Sequence, residues 1–226
     1  MNHIEQKLDF LRRVEESEEP LQAEETVYLI ELLSAKNADV RCRAAISAGI
    51  CFLPEFEKPL LQLLKDKKRI IRVNACDSLS NSANMAVASE LCPLMKSGHR
   101  LERGYAVMSY SDIALNAGAP KEETINVLRP YVEAESDDWA MAFCIEALAQ
   151  LGDYGALEHL YRLLGSNNAH ARRATLKCAA RFVAYMDRDM LKTTLIRQLE
   201  QERDETIKQH IKSLLEQIRT LNEHET

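Results

Sequence analysis

The amino-acid sequence predicts an all-α protein made of about six helical hairpins, and three observations lead to this prediction. One motif, residues 39–49, returns in altered form five more times along the 226 residues. Such recurrence is typical of stacked structural repeats. Glycine and proline together are only 13 residues and aromatics 6% of the chain, which favours packed helices over sheets. The motif's marker positions, spaced by 31, 31, 37, 32 and 36 residues, are Arg41, Arg72, Arg103, Ala140, Arg172 and Lys208.

Apolar residues recur at fixed offsets on both sides of the marker. Eight residues before it stand Leu33, Leu64, Met95, Val132, Leu164 or Glu200, and three residues after it Ala44, Ala75, Ala106, Phe143, Thr175 or Ile211. Two apolar runs joined by a short turn predict a first and a second helix in each repeat. The first helices are predicted at 23–35, 55–65, 86–96, 122–134, 154–164 and 188–201, and the second helices at 38–51, 69–82, 100–116, 137–151, 168–184 and 204–221.

The segment before the repeats predicts a capping helix. Ile4, Leu8, Leu11 and Val14 recur at helical spacing, so residues 3–16 are expected to form an amphipathic helix that covers the open end of the first repeat. A loose acidic arm is the alternative. We therefore predict a capping helix and acidic linker at 1–20, one repeat domain at 21–221 and a disordered tail at 222–226. The repeats are predicted at 21–52, 53–84, 85–118, 119–152, 153–185 and 186–221.

The net charge of −6 comes from the amino-terminal part of the chain. Residues 1–40 carry ten acidic and four basic side chains, whereas residues 41–226 carry twenty-five of each. A body without a basic excess makes nucleic acid an unlikely partner, because neutralisation of phosphates supplies most non-specific affinity.

Cellular location is predicted from apolar segments and cysteines. No run of 18 apolar residues occurs, so no membrane span is expected, and the start of the sequence lacks the pattern of a secretory signal. The six cysteines include no CxxC pair. We therefore expect free thiols in a cytoplasmic protein.

Two segments carry a resemblance to a known family. The leucine pair Leu63-Leu64 with the acidic turn residue Asp66 precedes 70–75 (Ile-Ile-Arg-Val-Asn-Ala), and Leu32-Leu33 precedes 39–45. Over residues 21–221 this resembles the short HEAT-like class first noted in phycobilisome lyases. The resemblance is strong in the first two repeats and at 170–174. It is weak in the third repeat, where Glu102 replaces the expected valine, in the fourth, where Trp139-Ala140 replaces valine and arginine, and in the sixth. The resemblance implies a right-handed α-α superhelix, a HEAT-like solenoid, whose second helices line a concave binding face. Such a fold does not name its ligand.

The repeated arginines allow two interpretations. Arg41, Arg72, Arg103 and Arg172 could form a basic strip for acidic or phosphorylated partners. Alternatively, as in the family it resembles, each could bond to an acidic turn (Asp39, Asp66) and to carbonyl ends of neighbouring repeats, which would make them a structural ladder. We favour the structural interpretation.

Three groups of residues are candidates for a concave binding surface. Val73, Met108, Met141 and Ile145 share offsets on the central second helices, where they line either an apolar groove or the core between repeats. Trp139 either belongs to that groove or packs in the valine position. Arg173, Lys177 and Arg181 share one face of the fifth second helix, and Lys65, Lys67, Lys68 and Arg69 crowd one turn; each set is either an anion site or a solvated face.

Catalysis and cofactors are not expected. HEAT-like deoxyhypusine hydroxylases hold iron with several His-Glu pairs, but the single such pair here is His224-Glu225. HEAT-like alkylpurine DNA glycosylases use tryptophan, aspartate and arginine in a basic groove, and this chain has one tryptophan and no charge excess. We therefore predict a non-catalytic scaffold that binds another protein or peptide through its concave face, without metal or cofactor. The alternative is an accessory subunit of a bilin lyase-type enzyme or a nucleic-acid binder related to the glycosylases.

Overall fold

A computed structural model describes residues 3–224, and side chains up to residue 223. Every regular element in this range is helical, so the predicted all-α class is confirmed. The chain divides into two compact units, Met1–Pro120 and Lys121–Thr226, where we predicted one continuous repeat domain. The division lies next to the predicted boundary at 118/119. Gly118, with φ of 65°, ends a helix in the left-handed conformation, and Pro120 cannot extend that helix.

From residue 3 onward, where the structure describes the chain, unit 1 contains seven α-helices. They are α1 (His3–Glu16), α2 (Ala23–Leu33), α3 (Ala38–Ile50), α4 (Glu57–Leu63), α5 (Arg69–Leu79), α6 (Met85–Met95) and α7 (Arg100–Asn116), with a 3-10 turn at Pro54–Phe56 before α4. Within the unit α3 packs on α5 and α5 on α7, while α2 packs on α4 and α4 on α6. The hairpins therefore stack helix on like helix, as repeats must when no single hairpin can bury its own apolar face.

Up to residue 224, the last one described, unit 2 contains six α-helices and two more 3-10 segments. The α-helices are α8 (Lys121–Glu133), α9 (Asp138–Gln150), α10 (His159–Leu163), α11 (Ala169–Phe182), α12 (Arg188–Gln201) and α13 (Glu205–His224), and the 3-10 segments are Tyr154–Glu158 and Val183–Tyr185. The second helices α9, α11 and α13 again pack in order. Their core includes Ile145, Leu160, Cys178, Leu195 and Ile211, all essentially inaccessible to solvent.

The capping helix α1 is built into the fold. Leu11 and Val14 are buried, and α1 packs on α3. Arg43 donates from Nε to Glu15 Oε1 at 2.6 Å, and the Ser47 hydroxyl donates to the same oxygen at 2.8 Å. Residues 3–16 are therefore a cap for the first hairpin and not a loose arm.

The carboxyl-terminal helix runs further than expected. Helix α13 continues to His224, so the disordered tail predicted from 222 begins too early. Leu221 packs against the core of unit 2, and Arg219 pairs with Glu223 one turn later at 3.0 Å, which supports helix in this last turn. Residues 225 and 226 lie outside the described range.

Candidate functional site

The side chains of the repeated arginines form hydrogen bonds inside the fold. The Nη1 of each arginine donates to the backbone carbonyl six residues earlier and so closes the turn that precedes the arginine's helix. The acceptors of Arg41, Arg72, Arg103 and Arg172 are the carbonyls of Ala35 (2.7 Å), Asp66 (2.6 Å), Ser97 (2.9 Å) and Ser166 (2.8 Å). These are the bonds of a structural ladder, although the carbonyls belong to the arginine's own repeat and not to a neighbouring one.

Carboxylates of the next repeat complete the ladder. Arg41 Nε lies 2.7 Å from Asp66, Arg72 Nε 2.7 Å from Glu102, and Arg172 Nε 2.7 Å from Glu202. Glu102 and Glu202 are buried, and neither was predicted as a partner from the sequence. Asp39, which we proposed as an acceptor, is exposed, and Arg41 bonds Asp66 instead. The arginines therefore join successive repeats and do not form a free basic strip.

The arginines also shift the ionisation of their partners. Hydrogen bonds from Arg172, which outweigh the cost of burial, lower the pKa of Glu202 from 4.5 to about 2. Burial by itself would raise the pKa of Asp66, but the hydrogen bonds from Arg41 and the Lys68 amide outweigh it and lower the pKa. Both carboxylates are therefore charged at neutral pH and serve as permanent acceptors.

Two of the apolar residues proposed for a concave groove are in the core. Val73 is 4% and Ile145 0% exposed, so neither can contact a partner. Their offsets face the neighbouring second helix, because the stacked helices approach closely along that side. Met108 and Trp139 are half-buried, and Met141, also half-buried, packs against the core of unit 2. Trp139 stacks obliquely on Phe143 with ring centroids 4.3 Å apart.

The basic side chains proposed on α11 are mostly paired. Arg173 lies 3.4 Å from Asp204 and Arg181 2.9 Å from Glu146, while Lys177 is exposed. Exposed ion pairs of this kind contribute little to stability, but they neutralise the positive charge that an anion site would need. This face of α11 is therefore a solvent-exposed surface with little net charge.

A cleft of about 590 Å³ opens on the surface of unit 2. It is formed by the two 3-10 segments, with α10 and the start of α12. Its lining consists of Tyr154, Gly155, Leu157, Glu158, Tyr161, Arg162, Tyr185, Met186, Asp187 and Met190. We refer to it as the tyrosine cleft.

Two tyrosines dominate the tyrosine cleft. The rings of Tyr154 and Tyr185 are stacked, with centroids 3.8 Å apart and planes 10° from parallel. Their side chains are nevertheless 37% and 56% exposed, and Met190 beside them is 52% exposed. A hydrogen bond between the two phenols, followed by partial burial, raises the pKa of Tyr154. The pair is therefore a neutral aromatic surface, held flat and open to solvent.

The floor and rim of the cleft have different chemistry. Leu157 and Met186 are buried at its base and belong to the core of unit 2. The Tyr161 hydroxyl donates to the Asp187 carbonyl at 3.1 Å, and the Asp187 carboxylate caps α12 through the Met190 amide at 2.9 Å. Glu158 and Asp187 are exposed at the rim. The cleft thus combines an apolar, pre-formed base with an acidic edge.

Metal and thiol chemistry have little support among the described residues. No group of three or more His, Cys, Asp or Glu side chains there could hold a metal ion, and the His224-Glu225 pair lies outside the described side chains. All six cysteines are free, and burial raises the pKa of the Cys76 thiol to about 12 and also raises that of Cys178. These two thiols are protonated at neutral pH. No helix in the described range is long and apolar enough to cross a membrane.

The tyrosine cleft was not predicted from the sequence, although a signal for it exists. Tyr154 and Tyr185 lie 31 residues apart, which is one repeat period, in the connections that leave successive second helices. Aromatic residues at equivalent positions of adjacent repeats are placed side by side when the repeats stack. The apolar periodicity that predicts the helices carries no information about these connections.

No family model and no curated protein sequence matches the chain. Among solved structures it is similar to the complex of CpcE and CpcF of phycocyanin lyase from Nostoc sp. PCC7120, with 15% identity, a TM-score of 0.46, and coverage of 90% of this chain and 97% of that one. It is also similar to an engineered protein, with 16% identity, a TM-score of 0.39, and coverage of 96% and 90%. Both similarities are weak by TM-score, and the stacked-hairpin fold rests on the helices and contacts of the chain itself.

Proposed function

We propose that the protein is a non-catalytic scaffold that binds a peptide segment of another protein in the tyrosine cleft. The observation that carries this proposal is the stacked, solvent-exposed pair of Tyr154 and Tyr185 above a buried apolar base. Rigid aromatic side chains supply a large contact area at low entropic cost, and tyrosine is among the residues enriched where binding energy is concentrated.

The lining of the cleft favours a particular peptide chemistry. The tyrosine rings and Met190 offer apolar surface, and the carboxylates of Glu158 and Asp187 at the rim attract positive charge. Arg162, the basic residue in the lining, pairs with Asp138 at 2.8 Å and so offsets little of that charge. We therefore propose an occupant with an aromatic, proline or aliphatic side chain followed by lysine or arginine.

The concave-face hypothesis now rests on fewer residues. Trp139, Phe143 and Lys177 still offer partly accessible side chains on the second helices of unit 2, whereas Val73 and Ile145 do not. Met141→Glu would place a carboxylate against the core, so loss of binding in that variant would not identify a surface. Lys177→Glu tests that face without disturbing the core.

The two alternative functions, an accessory subunit of a bilin lyase-type enzyme and a nucleic-acid binder, stay predictions.

The proposal can be tested by selection from a random library of 12-residue peptides displayed on phage. Wild-type protein is the bait, and the Tyr185→Ala variant is kept out of the selection so that its affinity for the selected peptides is an independent test. We expect peptides with an apolar residue next to a basic one, bound with micromolar Kd. Removal of one ring of the stack should weaken them at least tenfold, because a buried aromatic contact is worth about 1.5 kcal/mol or more.

Matched variants separate the cleft from the concave face. Tyr185→Phe keeps the ring and should retain most of the affinity, whereas Lys177→Glu should leave affinity unchanged. The proposal fails if selected peptides bind Tyr185→Ala as tightly as wild type, or if they are lost in Lys177→Glu instead. Circular dichroism of each variant shows whether the helices are intact.

A further inference from the structure

Five basic side chains lie on two successive turns of unit 1. Lys36 belongs to the turn before α3, and the others lie in the turn before α5 or at its first residue. All five are exposed, and none forms an ion pair or side-chain hydrogen bond within the described residues. We call this set the basic edge: Lys36, Lys65, Lys67, Lys68 and Arg69.

The acidic residue within this turn is already engaged. Asp66 accepts from Arg41 at 2.7 Å with one oxygen and from the Lys68 amide at 2.8 Å with the other. Helix α5 has no acidic residue in its first turn and no side-chain cap, so the positive end of its dipole adds to the charge. Asp66 is therefore already paired with Arg41 and forms no ion pair with a lysine of the basic edge.

The positive field extends to the following turn. His99 caps α7 by accepting from the Leu101 amide at 3.2 Å through Nδ1. Its pKa is lowered by burial and next by the charge of Arg69, with Arg100 and Arg103 adding to the effect and Glu102 opposing it. Arg69 thus acts across the gap between successive turns, as expected for exposed charges within a Debye length of about 8 Å at physiological salt.

We propose that the basic edge binds an extended acidic segment of a protein partner, rich in aspartate and glutamate. Successive turns of a stacked repeat lie about 10 Å apart, the packing distance of adjacent helices. An extended chain spans about 3.3 Å per residue and alternates its side chains between two faces, so carboxylates two or four residues apart share a face at about 7 or 13 Å. Such pairs can meet Lys36 in one turn and Lys68 in the next. Charge complementarity of this kind gives specificity and a fast encounter.

A protein segment fits this surface better than a nucleic acid does. Removing the five charges of the basic edge from the net charge of −6 leaves −11 on the rest of the chain, which repels a long polyanion more than a short one. The five residues include no aromatic side chain, and stacking on aromatic side chains is the usual way in which single strands are held. The test therefore compares the acidic peptide with a DNA duplex, and tighter binding of the duplex is the competing outcome.

The test uses a fluorescein-labelled 12-residue peptide of alternating glutamate and serine as the probe, with fluorescence anisotropy as the readout. In 20 mM NaCl we expect saturable binding to the full chain, which weakens at least tenfold in 300 mM NaCl because the contacts are screened. The double variant Lys67→Glu/Lys68→Glu should lose at least tenfold in affinity at low salt. A 20-base-pair DNA duplex that carries the same fluorescein label should bind more weakly than the peptide.

A charge-matched control isolates the surface from the net charge. Lys192→Glu/Lys212→Glu makes the same change at two exposed positions of α12 and α13 and should bind the probe like wild type. Equal loss in both double variants, salt-independent binding, or tighter binding of the duplex would each overturn the proposal. Peptides selected for the tyrosine cleft should bind Lys67→Glu/Lys68→Glu normally, so the two proposals can fail separately.

Discussion

The two units use the same hairpin but place their irregular features differently. Unit 1 keeps arginine at all three of its marker positions, with spacings of 31 residues, and its exposed turns carry the basic edge. In unit 2 the first marker position is Ala140, which cannot form the arginine bonds. Asp138, two residues earlier, accepts from Arg162 at 2.8 Å and from Ser166 at 2.6 Å. The connections of unit 2 contain two 3-10 segments, and these form the tyrosine cleft.

This difference shows where the chain has room for a binding site. In unit 1 the repeated arginines and their carboxylate partners form bonds within and between hairpins, and the exposed turn residues are mostly basic. In unit 2 the ladder is interrupted, and the connections at the opposite end of the hairpins hold aromatic residues. Binding surfaces are disproportionately found on connections held by a rigid scaffold, and the tyrosine cleft is lined by such connections.

The largest expected effect comes from breaking the ladder in unit 1. Arg72→Met leaves the buried carboxylate of Glu102, whose side chain is 5% exposed, without its cation, and we expect unit 1 to lose about 3 kcal/mol of stability. Hydrogen exchange of the amides in α5 and α7 measures this loss. The double variant Arg72→Met/Glu102→Met should recover part of it, since no uncompensated charge remains.

A surface ion pair provides the control for this prediction. Arg12 and Asp9 form a pair with side chains 60% and 46% exposed, so Arg12→Met should cost less than about 0.5 kcal/mol. Equal costs for Arg72→Met and Arg12→Met would show that the ladder does not hold the hairpins together.

In unit 2 the ladder makes stability depend on pH. The folded pKa of Glu202 is about 2 against an ordinary value of 4.5, so the unfolded chain takes up its proton first as pH falls. The stabilisation is complete above pH 4.5 and is lost between pH 4.5 and 2, up to about 3 kcal/mol. Urea unfolding followed by Trp139 fluorescence measures it, and Glu202→Gln should flatten this part of the pH profile. An identical profile in the variant would assign the effect to other carboxyl groups.

A close helix contact distinguishes the first repeat of unit 1 from a repeat of unit 2 at the position eight residues after the marker. Gly49 in unit 1 has no room for a Cβ, which would lie 2.6 Å from the Ser78 hydroxyl oxygen, and that hydroxyl donates to the Ala45 carbonyl at 2.7 Å. Gly49→Ala should therefore destabilise unit 1 by about 1–2 kcal/mol despite the better helix propensity of alanine.

Ala180 stands at the same offset in unit 2, eight residues after Arg172. Ala180→Gly should cost about 1 kcal/mol from helix propensity alone, as measured by urea unfolding followed by Trp139 fluorescence. If Gly49→Ala proves stabilising, the approach of α3 to α5 is looser than the structure shows.

The smallest expected effect is on the stability of unit 2 when the cleft is altered. Tyr185 is 56% exposed, so Tyr185→Ala should cost no more than about 1 kcal/mol, mainly from the lost ring stack. A thermal melt followed by circular dichroism checks this. A much larger loss would mean that the tyrosine pair supports the fold rather than a ligand.

The sequence predicted the elements well because the repeat period places every helix. All predicted helices are present, with ends within a few residues, except that 55–65 and 154–164 each begin with a 3-10 segment. The predicted site was less successful. The helical spacing of Val73 and Ile145 fits residues that line a groove and residues of the core equally well, and their hydrophobicity does not distinguish the two.

The carboxylate partners of the arginine ladder and the tyrosine cleft could not be predicted from the sequence, for different reasons. Glu102 was noted as a departure from the expected valine, but its role depends on the reach of Arg72 from the preceding repeat. Tyr154 and Tyr185 meet because two connections, each without a helical pattern, are brought together by the stacking of the hairpins. Contacts between repeats are long-range in sequence, and a motif within one repeat does not encode them.

The central claim is that the tyrosine cleft of unit 2 holds the peptide. Amide chemical-shift perturbation by NMR, with a peptide from the selection titrated into the labelled full chain, tests this claim most directly. We predict that the perturbed amides cluster at residues 154–162 and 185–190. Perturbations centred on α3, α5 and α7, or on the exposed face of α11 around Lys177, would contradict it.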